Sequence, residues 1–277
     1  MKQFWADVLA FAETTAADVG KTLMTNFGPN SGAVTAEQKA DGSLVTASDR
    51  WADQTIRAAI ANAFPDHGVL SEEAQHQFPE TDWCWIIDPI DGTTNFTRGV
   101  PLWGVSLGLL YRGVPVFGYV YFPPVAQRFY GYWPGQTGLA DMPTGAFLNQ
   151  KRIHTSPDAP SGSHFFSLCA RSTDVLRRSF PCKIRMLGVA TYNILTVAAG
   201  ISLGAVEATP KIWDIAAVWP ILQAAGGCWT PLDHCPVFPL HPGENYRSRP
   251  FPTLVSSRAA LAAEFEPFVG FLGQSGK

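Results

Sequence analysis

Side chains that carry oxygen crowd into one short stretch of the chain, residues 85–96, which reads WIIDPIDGTTNF. The apolar start predicts a buried strand, so Asp88 should lie at the carboxyl end of that strand, where open sheets carry their ligand sites. Pro89 lacks a backbone donor and should end the strand. The proline-stiffened turn would then aim the Asp88 and Asp91 carboxylates and the Ile90 carbonyl at one point, a ligand set suited to a hard cation such as Mg²⁺.

Gly92 and the TTN segment at 93–95 predict the start of a helix. Amide N–H groups at a helix start can hold an anion such as phosphate, which would place metal and phosphate side by side. An ordinary capped turn explains the same residues, because aspartate, glycine and threonine are common in turns. This stretch alone therefore leaves both interpretations open.

Two other acidic positions are candidates for the same site. Asp214 in KIWDIAAVWPILQAAGG (211–227) is predicted to be the N-cap of a buried helix, which Pro220 should kink. Glu72 and Glu73 end a predicted strand in VLSEEAQ. Caps and solvated glutamates are the ordinary explanations, but together these carboxylates would suffice for two or three Mg²⁺ ions that activate water and stabilise the leaving oxygen.

The rest of the sequence predicts the elements that must position these side chains. Helical spacing predicts an amphipathic helix at the start of the chain, and Asp49 should cap a second helix over 51–64. Between the two helices lies a glycine-rich, polar loop or mobile ribbon. Three strands follow in an antiparallel meander over 100–132, and the second half alternates short strands and helices. The turn-rich segment 136–160 predicts two halves, residues 1–140 and 141–277, which form one compact unit.

Composition and length exclude several classes of protein. The chain has 277 residues and a net charge of −3 without a basic tract, so neither nucleic acid nor a membrane surface is expected as a partner. No segment has the apolar length of a membrane span. Five cysteines without C-x-x-C spacing indicate reduced thiols. With no signal peptide at the start of the sequence, we expect a cytoplasmic protein.

The ordered set of motifs resembles the inositol monophosphatase family of Mg²⁺-dependent phosphatases. DPIDGTTNF is a near-complete match to that family's metal-binding signature, and IWDIAAVWPILQAAGG matches its second signature. Lys39, the LVTASD segment at 44–49 and the Glu72–Glu73 pair match further family positions in the same order. Five ordered matches are far more specific than any one of them.

The resemblance implies roles for individual residues in metal binding and catalysis. The implied metal ligands are Glu72, Asp88, the Ile90 carbonyl, Asp91 and Asp214. Thr93, hydrogen-bonded by Asp49, would act with Glu72 to orient and deprotonate the attacking water.

Substrate contacts are implied in the same way. The implied substrate-binding residues are Asp91, Gly92, Thr93, Ala190, Glu207 and Asp214. Lys39, on the predicted ribbon, would close over the metal or the substrate. Val189 stands in the family's G-x-A substrate stretch where a hydroxyl residue is usual.

The family's fold is a layered α/β sandwich of the αβαβα type, with most metal ligands in the N-terminal half, and its members are commonly homodimers. The implied reaction is hydrolysis of a small polyhydroxylated phosphate by direct attack of metal-activated water, with no phosphoenzyme. Inositol monophosphate ranks first as substrate. GVPLWG at 99–104 is similar to the histidinol-phosphatase branch. Fructose-1,6-bisphosphatase and 3′(2′),5′-bisphosphate nucleotidase activities remain further alternatives on the same scaffold.

Two interpretations from other classes stay open at this point. GVSLG at 104–108 fits the G-x-S-x-G nucleophile elbow of serine hydrolases, with Ser106 as the nucleophile. The residues after Ser106 predict a strand and hairpin where that motif requires a helix. A catalytically silent relative kept for binding would be expected to have lost a metal carboxylate, and all four are present.

Overall fold

The computed structural model describes residues 2–28, 36–38, 44–177 and 179–274. The α-helices in these residues are α1 (Lys2–Asn26), α2 (Ala47–Ala63), α3 (Thr93–Arg98), α4 (Ala190–Ala198), α5 (Ile212–Ile215), α6 (Val218–Ala224) and α7 (Ala259–Val269). The strands are β1 (Ala36–Gln38), β2 (Leu44–Thr46), β3 (Gly68–Ser71), β4 (Trp83–Asp91), β5 (Gly104–Tyr111), β6 (Val114–Phe122), β7 (Gln127–Tyr132), β8 (Gly145–Leu148), β9 (Lys151–Ile153), β10 (Phe165–Leu168), β11 (Lys183–Arg185), β12 (Ser202–Glu207), β13 (Cys228–Pro231) and β14 (Thr253–Ser256).

The first large sheet has seven strands in the order β3-β4-β5-β6-β7-β8-β9, antiparallel except for the parallel pair β3-β4. Successive side chains of a strand point to opposite faces. Trp85 and Ile87 therefore pack with α1 and α2 on one face, while Ile86 packs with α4 and α6 on the other. Burial on both faces explains the continuous apolar run in β4. The predicted antiparallel meander follows β4 as strands β5, β6 and β7.

The second sheet has five strands in the order β11-β10-β12-β14-β13. Ala205 and Val255 face the core shared with α4 and α6, whereas Val206 and Leu254 face α7. Helices α4 and α6 are thus sandwiched between the two sheets. The layers run α1/α2, sheet, α4/α6, sheet, α7, which confirms the predicted αβαβα sandwich.

Strand β4 does not end at Pro89, so that prediction was wrong. The strand continues to Asp91, with Asp88 paired opposite Ser106 and Asp91 opposite Gly104. The register shifts between the two aspartates. A proline can occupy such an irregularity because no hydrogen bond between the strands requires an N–H group at that position.

The cap of α2 is Thr46, which corrects the predicted role of Asp49. The Thr46 hydroxyl oxygen accepts hydrogen bonds from the backbone N–H groups of Ser48 and Asp49. Asp49 is the third helical residue, and its Oδ2 accepts from Thr46 N at 2.7 Å. This reciprocal capping box fixes the position of the buried Asp49 carboxylate.

Asp214 is likewise the third residue of its helix and not the predicted N-cap. Its Oδ2 accepts a hydrogen bond from Lys211 N at 2.6 Å. The helical segment breaks at residues 216–217, and Pro220 lies in the first turn of α6. Backbone N–H groups in the first turn of a helix have no partner inside the helix, so a proline fits there. The helix is therefore interrupted before Pro220 and not at it.

The break between α5 and α6 lies directly on the first sheet. A Cβ added to Gly118 in β6 would stand 1.8 Å from the Ala217 carbonyl oxygen. A Cβ on Gly108 in β5 would stand 2.9 Å from Ala217 N. These two glycines let the helix backbone approach the strands, and this close approach brings Asp214 to the end of β4.

The first sheet extends beyond residue 140, where the sequence placed the division between halves. The hairpin β8-β9 returns to this sheet because Gly145–Leu148 pairs with Gln127–Tyr132, and β9 ends at Ile153. The second sheet then starts with β10. The change from one sheet to the other therefore falls between residues 153 and 165.

Two further predictions concern the cysteines and membrane spans. All five cysteines are free thiols. Across the described ranges, no helix combines the length and apolar character needed to cross a membrane.

Candidate active site

Three carboxylates converge where β4 ends and α5 begins. Asp88, Asp91 and Asp214 each offer one oxygen, and these oxygens all lie within 4.8 Å of one another. In a regular strand, residues three apart point to opposite faces. The register shift within β4 is therefore what allows Asp88 and Asp91 to reach the same site.

Glu72 joins this cluster from the neighbouring parallel strand. It directly follows β3, and its backbone N–H donates to the Ile87 carbonyl at 3.3 Å. Its side chain lines the same cleft as Asp91 and Asp214, and its charge is close enough to raise the pKa of Asp88. The structure thus brings together all four carboxylates that the sequence analysis assigned to metal.

Burial and mutual repulsion dominate the electrostatics of these carboxylates. Burial raises the pKa of Asp88 well above its usual value, and the nearby charges of Glu72, Asp91 and Asp214 raise it further. Burial, followed by the charge of Asp91, has the same effect on the pKa of Asp214. Burial also raises the pKa of Asp91, although hydrogen bonds from Thr191 oppose the change.

A hard divalent cation fits this donor set. Clustered negative charges in a buried site are costly unless they are protonated or paired with positive charge. The donors are all oxygens, which Mg²⁺ and Ca²⁺ prefer. The cluster therefore has both the charge and the ligand chemistry that such a cation requires.

Thr93, the first residue of α3, links this cluster to α2. Its hydroxyl lies 3.2 Å from Asp49 Oδ1 and 3.0 Å from the Ile90 carbonyl oxygen, so it can donate to either. Gly92 precedes it with φ of +92°, and a Cβ there would stand 2.8 Å from Val189 Cγ2. Only glycine accommodates both the left-handed backbone and this close contact.

A cleft of about 380 Å³ opens over the cluster. This volume lies within the range of roughly 300–1,000 Å³ usual for small-molecule sites. The predicted site residues that line it are Glu72, Asp91, Gly92, Thr93, Ala190, Glu207 and Asp214. Asp49, Asp88 and Ile90 are buried behind the lining. Lys39 lies outside the described residues.

Thr191 and Asn193 in α4 contact the site, and the sequence analysis missed both. Thr191 donates its backbone N–H (2.8 Å) and its hydroxyl to Asp91 Oδ2. Asn193 Nδ2 donates to Glu207 Oε1 at 2.7 Å. Their only signal was the polar T-x-N pattern in the first turn of an otherwise apolar helix, directly after the predicted substrate stretch.

Glu207 ends β12 and is almost fully buried. Burial raises its pKa to about 7, and the charge of Asp91 adds to this effect, while the hydrogen bond from Asn193 opposes it. A raised pKa favours the protonated acid in the folded state. The stabilisation from this proton is therefore complete below the unfolded-state pKa of Glu207 and is lost as pH rises through about 7.

We expect Glu207→Gln to flatten this pH dependence, because glutamine resembles the protonated acid at every pH. In EDTA at pH 8.5, the variant should gain about 3 kcal/mol in free energy of unfolding relative to wild type. At pH 5 the gain should be much smaller. Urea unfolding at the two pH values measures the difference, and an equal gain at both would contradict it. Glu264→Gln, at an exposed position of α7, serves as the matched control.

Ser106 does not have the geometry of a hydrolase nucleophile. It lies inside β5, fully buried, and strand residues follow it. A nucleophile elbow exposes its serine at a sharp turn from strand to helix. The match to G-x-S-x-G is therefore explained as part of a buried strand.

An αβαβα sandwich that gathers buried carboxylates and a helix start in one cleft has the features expected of a metal-dependent phosphatase. Comparison with known proteins agrees with this class. The sequence model of the inositol monophosphatase family matches residues 5–262, and the chain belongs to this family. It is accordingly a phosphoric monoester hydrolase that acts on phosphorylated small molecules.

Individual relatives span most of the chain. It is 33% identical over 234 residues to a fructose-1,6-bisphosphatase/inositol-1-monophosphatase of Aquifex aeolicus. This alignment covers 80% of the present chain and 84% of the Aquifex protein. It is also 33% identical over 230 residues to a histidinol-phosphatase of Chlorobaculum parvum, in an alignment that covers 79% of the present chain and 84% of the Chlorobaculum protein. The solved structure of a Thermotoga maritima IMPase matches with a TM-score of 0.79 at 28% identity, covering 97% of this chain and 99% of that one.

Proposed function

We propose that this phosphatase is a Mg²⁺-dependent enzyme that hydrolyses a small polyol or sugar phosphate, with inositol monophosphate as the first substrate to test. The observation that carries the proposal is the convergence of Asp88, Asp91 and Asp214, whose ligand oxygens lie within 4.8 Å of one another beside the start of α3.

The residues that would hold two or three Mg²⁺ ions are Glu72, Asp88, the Ile90 carbonyl, Asp91 and Asp214. Bound there, Mg²⁺ would supply Lewis acidity for the phosphoryl and leaving oxygens. The carboxylates would then no longer repel one another, because the cations offset their buried charge.

Thr93 and Asp49 are suited to orient an attacking water. When the Thr93 hydroxyl donates to Asp49 Oδ1, its oxygen keeps lone pairs that can accept a hydrogen bond from water. Asp49 cannot easily turn away, since its Oδ2 is held by Thr46. Glu72 lines the same cleft and would accept the proton that the water releases.

The remaining assignments concern the substrate. The first amides of α3, after Gly92, have no partner inside the helix and would hold phosphoryl oxygens. Ala190 and Glu207 would contact the alcohol part, with Glu207 bonding a substrate hydroxyl. Lys39 is proposed to close over the site, and a homodimer is proposed by resemblance, which sedimentation equilibrium would test.

Phosphate release tests the proposed function directly. The substrates are inositol-1-phosphate, histidinol phosphate, fructose-1,6-bisphosphate and 3′-phosphoadenosine 5′-phosphate, each with Mg²⁺ and with EDTA. We expect Mg²⁺-dependent turnover of inositol-1-phosphate that EDTA abolishes. Turnover of another ester alone would keep the mechanism and reassign the substrate. If no ester is hydrolysed and calorimetry detects no Mg²⁺ binding, the proposal fails.

A further inference from the structure

One oxygen of the Asp91 carboxylate is already occupied by groups of the protein. Asp91 Oδ2 accepts a hydrogen bond from the backbone N–H of Thr191 at 2.8 Å and a second one from the Thr191 hydroxyl. Each carboxylate oxygen has about two lone-pair sites. These two donors therefore use Oδ2, and Oδ1 is the Asp91 oxygen that remains for a cation.

The place of Thr191 in α4 explains why both of its donors reach the same oxygen. It is the second residue of that helix, so its backbone N–H has no partner inside the helix. Its side chain is completely buried, which keeps water from replacing Asp91 as the partner of the hydroxyl. Helix start and side chain thus hold one carboxylate oxygen together.

The start of α4 is in turn fixed to α3. Asn95 of α3 donates from Nδ2 to the Leu187 carbonyl at 2.9 Å. Gly188 follows with φ of +75°, and a Cβ there would stand 2.9 Å from Asn95 Oδ1. The segment before α4 is therefore packed closely against α3, and Thr191 cannot move away from Asp91 without disturbing these contacts.

We propose that Thr191 is a positioning residue that shifts the preference of the cation site from Ca²⁺ towards Mg²⁺, because it leaves Asp91 one oxygen for metal. This inference rests on the proposed function and deepens its metal assignment. Ca²⁺ readily takes both oxygens of one carboxylate, whereas Mg²⁺ requires a nearly ideal octahedron. An aspartate whose second oxygen is bonded elsewhere suits Mg²⁺ and withholds a bidentate ligand from Ca²⁺.

Thr191→Val tests the hydroxyl alone, because valine keeps the shape of threonine and the backbone N–H. Loss of a group that orients a metal ligand typically weakens metal binding about 10- to 100-fold. We expect the metal-free variant to need about tenfold more Mg²⁺ for half-saturation, since the N–H bond remains. The Ca²⁺ requirement should not rise, because the freed lone pair of Oδ2 becomes available to that ion. Calorimetric titration with MgCl₂ or CaCl₂ alone measures both.

Thr191→Ser should restore the wild-type ratio of the two half-saturation concentrations, since serine returns the hydroxyl. Thr196→Val is the matched control at another buried position of α4, where the hydroxyl bonds the Asn193 carbonyl and the Ser202 hydroxyl. It should leave the ratio unchanged. If Thr191→Val does not fold, Thr191→Ala removes the same hydroxyl with a smaller side chain. An equal loss for both cations, or no loss for Mg²⁺, overturns the proposal.

The titrations contain no substrate, so their result is separate from the proposed function. If wild type hydrolyses none of the four esters but Thr191→Val lowers the preference for Mg²⁺, the proposed activity fails and the role of Thr191 stands. If wild type hydrolyses an ester with Mg²⁺ and the ratio is the same in both proteins, the activity stands and the role of Thr191 is wrong.

Discussion

Asp91→Asn is expected to lower kcat/KM for the preferred phosphate ester about a thousandfold. Asp91 lines the cleft and belongs to the convergent cluster, as Asp214 also does. Replacing it removes one unit of negative charge where the cations would bind. Metal assistance contributes several kcal/mol to the transition state, and each 1.36 kcal/mol corresponds to a factor of ten in rate. Phosphate release at saturating Mg²⁺ measures the loss.

Asp91→Asn should also differ from wild type in its melting temperature and in how that temperature responds to Mg²⁺. The asparagine amide keeps an oxygen that can accept the hydrogen bonds from Thr191, so the fold should be retained. Without metal, the variant should melt at a higher temperature than wild type, because the buried charge of Asp91 that repels Asp88 and Asp214 is gone. Mg²⁺ should then raise its melting temperature less than it raises that of wild type.

Asp82→Asn is the control for this substitution. Asp82 is exposed and pairs with Arg112 at 2.9 Å, away from the cleft. Its removal should leave both turnover and the Mg²⁺ response unchanged. Wild-type turnover in Asp91→Asn would show that the cluster is not the metal site.

Thr93→Val is expected to lower kcat about a hundredfold with little change in KM. Valine has the shape of threonine but no hydroxyl, so it cannot link water to the Asp49 carboxylate. A positioned group that transfers a proton typically raises the rate by about 10²- to 10⁴-fold. A neutral hydroxyl that only orients the attacking water is expected at the lower end of that range. Steady-state kinetics with Mg²⁺ gives the separation of kcat from KM.

Thr93→Ser should restore most of the rate, because it returns the hydroxyl. Thr97→Val is the matched control in the same helix, since the Thr97 hydroxyl donates only to the Thr94 carbonyl of its own turn. If Thr93→Val and Thr97→Val lower kcat equally, damage to α3 explains the loss and the proposed role of Thr93 is wrong.

Local structure was predictable wherever the pattern depends on near neighbours. The apolar run before Asp88 predicted a buried strand, and the glycine before Thr93 predicted a helix start; the structure has both. The T-x-x-D pattern of Thr46 and Asp49 was also local, and reading it as a capping box would have started α2 at the correct residue. The error at Pro89 arose because a register shift depends on the partner strand, which the sequence of β4 does not contain.

The sequence by itself therefore determined the identity of the acidic residues, their order and the elements that carry them. Only the tertiary structure decided which distant groups meet them. Thr191 reaches Asp91 because α4, in the layer between the two sheets, packs against the first sheet. No local periodicity encodes such contacts, since they form only when the buried faces of all layers close together.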